Sequence, residues 1–249
     1  MPRNIQSHIE RIPDGANALT ARFVLTIKSN ADGQIKYKAR YVIGGHRDVL
    51  KLYMVHGAKT LQASSARIIV ALATMFGFQV WSSDVKLAYL QSTEPLMRRV
   101  FIKNPAPEFE LQPDKCFELL RPLYGLSDAD DLWHRTLHRH LVEELELVSS
   151  KADPSLYFSF TAGELSGING YYVDDLLRAG TPEFQERCTQ THRRFETSGD
   201  ESPPFTFAGF SIARLNDGTI AIDQLFYTKK LEEIECSSSY TDFCSMRVK

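Results

Sequence analysis

Residues 170–177 read GYYVDDLL, two adjacent carboxylates, Asp174 and Asp175, inside a run of tyrosines and aliphatic side chains. Successive side chains of a strand point to opposite faces, so neighbouring aspartates share a face only if the chain turns between them. A charged pair in an apolar run also carries a desolvation cost that some contact must offset. The pattern therefore asks for a tight turn or a bound cation. SLYFSF (155–160) and GINGYYVDDLL (167–177) are two strand candidates separated by Gly163 and Gly167, which puts the aspartate pair in or beside a hairpin.

A third carboxylate, Asp84, stands where FQVWSSDVKLAYL (78–90) reads as a strand running into a turn. If that strand lies beside the hairpin, Asp84 and Asp174 can share hard divalent cations, which prefer carboxylate oxygen. Two such ions about 3.5–4 Å apart activate an attacking hydroxyl and stabilise a leaving oxygen in phosphoryl transfer. Aspartates are also ordinary turn residues, and the pattern alone leaves both readings open.

The rest of the chain mixes helices with hairpins. Residues 21–43 form two β-rich runs around Asn30-Ala31-Asp32-Gly33, and residues 204–224 form another hairpin turning at Asn216-Asp217-Gly218. Residues 62–76 carry Ile68, Ile69, Leu72, Ala73 and Phe76 at helical spacing, with Gly77 as the stop. Residues 128–147 read as a second helix with acidic residues at its start, and Thr181-Pro182 opens a third. Pro95, Pro105, Pro107 and Pro113 punctuate loops between short strands. This mixture favours α+β over a doubly wound parallel sheet. His134 and His138 stand one helical turn apart without an H-E-x-x-H pattern, so a solvent-facing helix is expected there rather than a zinc site.

Charge is uneven along the 249 residues. Between Ala21 and Arg67 nine basic residues, Lys38 and Arg40 among them, face only Asp32 and Asp48, although the whole chain carries a net charge of −2. A basic lobe opposite an acidic one suits a polyphosphate with its cation, and equally a solvated hairpin face. The cysteines, 116, 188, 236 and 244, form no C-x-x-C pair and read as reduced thiols. MPRNIQSHIE is no signal peptide, and IIVALATMFGF is too short to span a bilayer, so an intracellular protein with no membrane partner is expected.

SSDVKLAYLQS (82–92), LLRPLYGLSDADDLW (119–133) and GYYVDDLLRAG (170–180), in this order and at these separations, closely resemble the reverse transcriptase of copia-type LTR retrotransposons. ARFVLTIK and YKARYVIGG upstream, and FAGFSI and YTKKL downstream, extend the resemblance over roughly residues 20–235. It implies an α+β fold of polymerase fingers and palm, the antiparallel palm sheet flanked by helices and the thumb largely absent. It divides the chain into an N-terminal extension (1–20), fingers and palm (21–235) and the truncated start of a thumb or connection (236–249). Carried over residue by residue, Asp84, Asp174 and Asp175 become the catalytic carboxylates and the ligands of two Mg²⁺ ions, with Mn²⁺ as a substitute. Tyr89 comes to lie under the nucleotide sugar, where its ring would crowd a 2′-hydroxyl. Lys38 and Arg40 would neutralise the triphosphate. The implied partners are an RNA or DNA template with its primer, dNTP, and RNase H and integrase domains of a polyprotein. The implied setting is cytoplasmic, in a virus-like particle, or nuclear.

One departure from the family stands out. Where K-Q-x-x-R usually follows Y-G-L, this chain has Ser127, Asp128, Ala129, Asp130 and Asp131, a local shift of about five charge units. Asp128 occupies the position of the glutamine that packs against the nucleotide. If these acids face the nucleotide they oppose a triphosphate; if they cap the helix beginning near Ala129 they stabilise it. A degenerate relic that at most binds nucleic acid is the competing reading.

Overall fold

The N-terminal part of the chain forms strands, β1 (Ser7–Arg11), β2 (Ala18–Leu19), β3 (Ala21–Ser29) and β4 (Ile35–Ile43), the last two rich in branched and aromatic residues. The computed structural model describes residues 7–29, 35–54, 57, 59–103, 115–229 and 231. The expected Asn30–Gly33 turn lies outside these residues. The strands it would join pair antiparallel from Ala21↔Ile43 to Ser29↔Ile35. This register puts Phe23, Leu25, Ile27 and Tyr37 on one face of the hairpin and Arg22, Lys38 and Arg40 on the other.

Helix α1 (Ala63–Phe76) ends on Gly77, whose left-handed φ of 66° lets its N–H reach the last carbonyls of the helix. After it come β5 (Gln79–Asp84), β6 (Phe101–Ile102), β7 (Lys115–Leu119) and α2 (Ala129–Arg139). A meander of β8 (Val148–Ser149), β9 (Leu156–Thr161), β10 (Glu164–Tyr172) and β11 (Asp175–Gly180) leads to α3 (Pro182–Arg194). Thr181 caps α3 by accepting the Phe184 N–H at 3.3 Å. The described chain closes with β12 (Phe205–Phe207), β13 (Phe210–Arg214), β14 (Ile220–Asp223) and the short α4 (Leu225–Thr228). No helix among the described residues is long and apolar enough to cross a membrane.

The central sheet has strand order β5-β11-β10-β9-β8, every pair antiparallel. Both of its faces are covered. On one side α1 and the β12-β13-β14 sheet bury Ile69, Val80, Ile168, Leu177 and Phe207. On the other, α2 and α3 bury Trp81, Trp133, Tyr171, Leu176 and Phe184. A strand enclosed on both faces loses its polar alternation, which is why β11 is buried continuously after Asp175. A separate sheet, β1-β7-β6-β2, shares a third core with the base of the β3–β4 hairpin through Leu19, Tyr41, Ile43 and Phe117. Residues 1–20, expected as an extension, thus contribute β1 and β2 to a sheet.

Three details differ from the sequence reading. Gly167 lies inside β10, not between strands: a Cβ there would come within 2.2 Å of the Phe184 ring, so the glycine admits the helix α3. The helix expected over 128–147 is α-helical to Arg139 and continues as a π turn, His140–Glu144. The histidines of this helix are not solvent-facing. His134 is buried against the Tyr171 hydroxyl, His138 pairs with the Tyr157 hydroxyl at 2.8 Å, and His140 is buried between Glu144 and Thr191. Helical spacing could not reveal this, because the tyrosine partners come from strands across the core.

Burial first, then the neighbouring Lys59 and His138, push the His134 imidazole down from 6.5 to about 4. A depressed histidine stabilises the fold above its unfolded value, and that contribution is lost as pH falls through the folded one. The melting temperature should therefore drop between pH 6.5 and 4. His134→Gln, which does not titrate in this window, should show a shallower drop in thermal melts at stepped pH.

A candidate metal and nucleotide site

The pairing of β5 with β11 sets Asp84 directly opposite Asp175. Asp174 occupies the turn between β10 and β11 with Val173. Here the chain breaks its alternation, and carboxylate oxygens of Asp84, Asp174 and Asp175 all lie within 4.8 Å of one another. The turn needs Val173 at a φ of 59°, a left-handed conformation that strains a β-branched residue by about 1–3 kcal/mol. Two bonds hold it: the Trp133 indole N–H donates to the Val173 carbonyl at 2.7 Å, and the Val85 N–H donates to the Asp174 carbonyl at 2.8 Å.

Half-buried Asp174 is pushed above the ordinary carboxylate range, by burial and by the charge of Asp84, while Lys38 and Arg40 pull it back. The basic face of the β3–β4 hairpin therefore acts on the aspartates. Arg40 also stands over the Tyr124 ring, 5.8 Å from its centroid, and Tyr124 meets the Tyr89 ring edge-on at 4.8 Å. The Tyr89 hydroxyl donates to the Asp130 carboxylate. Burial and Asp130 together raise the Tyr89 phenol far above its ordinary value, so it is a neutral donor. Gly125 explains why the hairpin seats here: a Cβ on it would come within 2.1 Å of the Ile43 carbonyl, and its φ of 91° suits only glycine.

The model of the family "Reverse transcriptase (RNA-dependent DNA polymerase)" matches residues 6–246. The chain belongs to this family. It is the copia-type branch that the motifs resemble: the transposon Ty5-1 protein of Saccharomyces cerevisiae is 30% identical over 173 residues, 66% of this chain and 54% of that protein. The chain thus spans about half the length of that relative. Among solved structures, telomerase from Candida albicans, in complex with a fragment of telomeric RNA, matches with a TM-score of 0.43 at 10% identity, over 86% of this chain and 47% of that one.

Within this reverse transcriptase domain, three hard oxygen donors at close quarters fit a divalent cation such as Mg²⁺. Lys38, Arg40 and Tyr89 each lie within electrostatic reach of Asp174. Asp128 is committed elsewhere. Its carboxylate takes two bonds from Arg98, at 2.5 and 3.2 Å, and Arg98 reaches on to buried Asp48 at 2.6 Å. Although Asp128 immediately precedes α2, its side chain makes no cap bond. Asp131 pairs with Arg135 at 2.8 Å and Lys59 at 3.4 Å. Sequence reasoning did not single out Tyr124, Trp133 or Arg98. Tyr124 and Trp133 lie within the quoted motifs, whereas Arg98 sits in a proline-punctuated loop with no signal.

A raised carboxylate stabilises the fold only while protonated, below its unfolded value of 3.8, and this is lost as pH rises through the folded value. The metal-free Asp174→Asn protein should therefore melt above the parent at pH 7, with the gap closing towards pH 3.8. Trp133→Phe keeps an aromatic body but strands the Val173 carbonyl, at a cost of about 1–2 kcal/mol in denaturant titrations. Adding Val173→Gly, which adopts a left-handed φ freely, should restore part of that loss.

Proposed function

We propose that this chain is the fingers and palm of an RNA-directed DNA polymerase, with catalytic boundaries near residues 21 and 235, that extends a primer 3′-hydroxyl with dNTP on an RNA or DNA template. The observation that carries this reading is the convergence of Asp84, Asp174 and Asp175 opposite a basic hairpin face. The three carboxylates would hold two Mg²⁺ ions, with Mn²⁺ as a substitute. When bound, the ions would lower the pKa of the primer hydroxyl and stabilise the oxygen leaving the α-phosphate.

The protein's own groups divide the remaining work. Lys38 and Arg40 supply positive charge for the triphosphate, which carries its negative charge into a site already lined with aspartates. The Tyr89 ring would pack beneath the sugar and leave no room for a 2′-hydroxyl. Asp128 would serve this site indirectly, as the anchor of Arg98. RNase H and integrase domains would accompany this domain in a polyprotein acting inside the cell.

The relic reading draws its force from free negative charge beside the nucleotide. Asp128 and Asp131 are paired with cations, Arg98 and the Arg135–Lys59 pair, while Asp130 bonds the neutral Tyr89 hydroxyl; two of the three loop charges are thus countered, which favours the working enzyme.

Primer extension on homopolymer RNA and DNA templates, with Mg²⁺ and Mn²⁺ compared, tests the proposal. The parent chain should extend, and Asp174→Asn, folded by its melting curve, should lose at least about a hundredfold in rate, since an amide does not hold the cation. Equal extension by that variant contradicts the assignment.

A further inference from the structure

Asp130 is a residue of the acidic loop for which the family pattern supplies no role, and its carboxylate accepts the Tyr89 hydroxyl. The Tyr89 ring is thereby held at two points: its hydroxyl on Asp130, and its face or edge against Tyr124 at a centroid distance of 4.8 Å and an interplanar angle of 69°. Asp130 sits on the first turn of α2, where it bonds Tyr89 and lines a small cleft with Lys59, Trp133 and Val173 of the aspartate turn. An aromatic side chain has two rotatable bonds, and packing against one neighbour leaves its swing less restricted than packing plus a charge-assisted hydrogen bond. A ring that must exclude a single hydroxyl group works only if it cannot move by about the width of that group, because specificity is a difference between two affinities.

We propose that Asp130 is a positioning residue for sugar discrimination: by accepting the Tyr89 hydroxyl it locks the ring against Tyr124 and so sets how strictly a ribonucleotide is refused. This rests on the reading of Tyr89 given under Proposed function and deepens it. The loop that departs most from the family pattern then contributes a contact to selectivity. Its charge has a second effect that can be separated from the first. Asp130→Asn retains an amide oxygen that accepts the hydroxyl but loses the negative charge, whereas Asp130→Ala loses both.

Single-nucleotide incorporation by the full chain, with matched dNTP and rNTP on one primer–template, reads kcat/KM for each sugar. Asp130→Ala and Tyr89→Phe should each lower the preference for dNTP by about tenfold, the size that loss of one charge-assisted hydrogen bond supports. The double variant should lower it no further, because both changes remove the same bond. Asp130→Asn, which keeps a weaker neutral bond, should keep part of the preference while lowering the apparent KM for both nucleotides. Tyr89→Phe keeps every packing contact of the ring and so tests the bond even if Asp130→Ala fails to fold. Preferences within about twofold of the parent in Asp130→Ala or Tyr89→Phe, or effects that add in the double variant, overturn the inference while the polymerase reading stands. Failure of the parent to incorporate either nucleotide with Mg²⁺ or Mn²⁺ overturns the polymerase reading and this inference with it.

Discussion

Three like charges held within 4.8 Å of one another are the constraint on which the rest of this molecule depends. Two unit charges about 4 Å apart repel by roughly 4 kcal/mol at an effective dielectric near 20, and burial adds to that. A backbone hydrogen bond at the turn offsets part of this cost for Asp174. The pairing of β5 with β11 imposes it, since the register that buries Leu176 and Leu177 also sets Asp84 across from Asp175. The Val173–Asp174 turn adds the third carboxylate and backbone strain as well. Further offsets arrive from elsewhere in the fold: Trp133 on α2 bonds the strained carbonyl, and Lys38 and Arg40 bring positive charge from the hairpin. A site that is unfavourable in the free protein is primed for cations, whose binding relieves it.

Charge compensation also explains the loop that replaces the family's basic residues. Three anions in one loop would leave a repulsive edge without cations beside them. Instead Arg98 is enclosed by Asp48 and Asp128, and Asp131 lies between Arg135 and Lys59. The Arg98 cluster is nearly shielded from water, so removing one partner would leave a buried charge at several times the cost of a surface pair. It also ties the segment after β4 to the start of α2, linking the base of the hairpin to the helix that braces the aspartate turn.

Much of this was legible in the sequence because it rests on local rules. Gly77 stops α1, Thr181-Pro182 starts α3, and Asn216-Asp217-Gly218 turns the last hairpin, each through backbone preferences confined to a few residues. The adjacency of Asp174 and Asp175 announced a turn on the same grounds. What stayed hidden depends on contacts between distant segments. Arg178 reads as a polar strand residue, yet it is wholly buried and bonded to Asn169 and Thr191, because both faces of its sheet are covered. His134, on a helix expected to face solvent, is buried for the same reason. Gly167 looked like a loop residue, and only the Phe184 ring beside it shows why a strand needs a glycine there.

Anomalous diffraction from crystals soaked in Mn²⁺ measures the central claim directly, because it locates the cation and its ligands together. Strong peaks bounded by carboxylate oxygens of Asp84, Asp174 and Asp175, at metal–oxygen distances of about 2.0–2.3 Å, are the predicted result. Peaks only at other acidic residues, or an Asp84 carboxylate too far from Asp174 to share an ion, would contradict it.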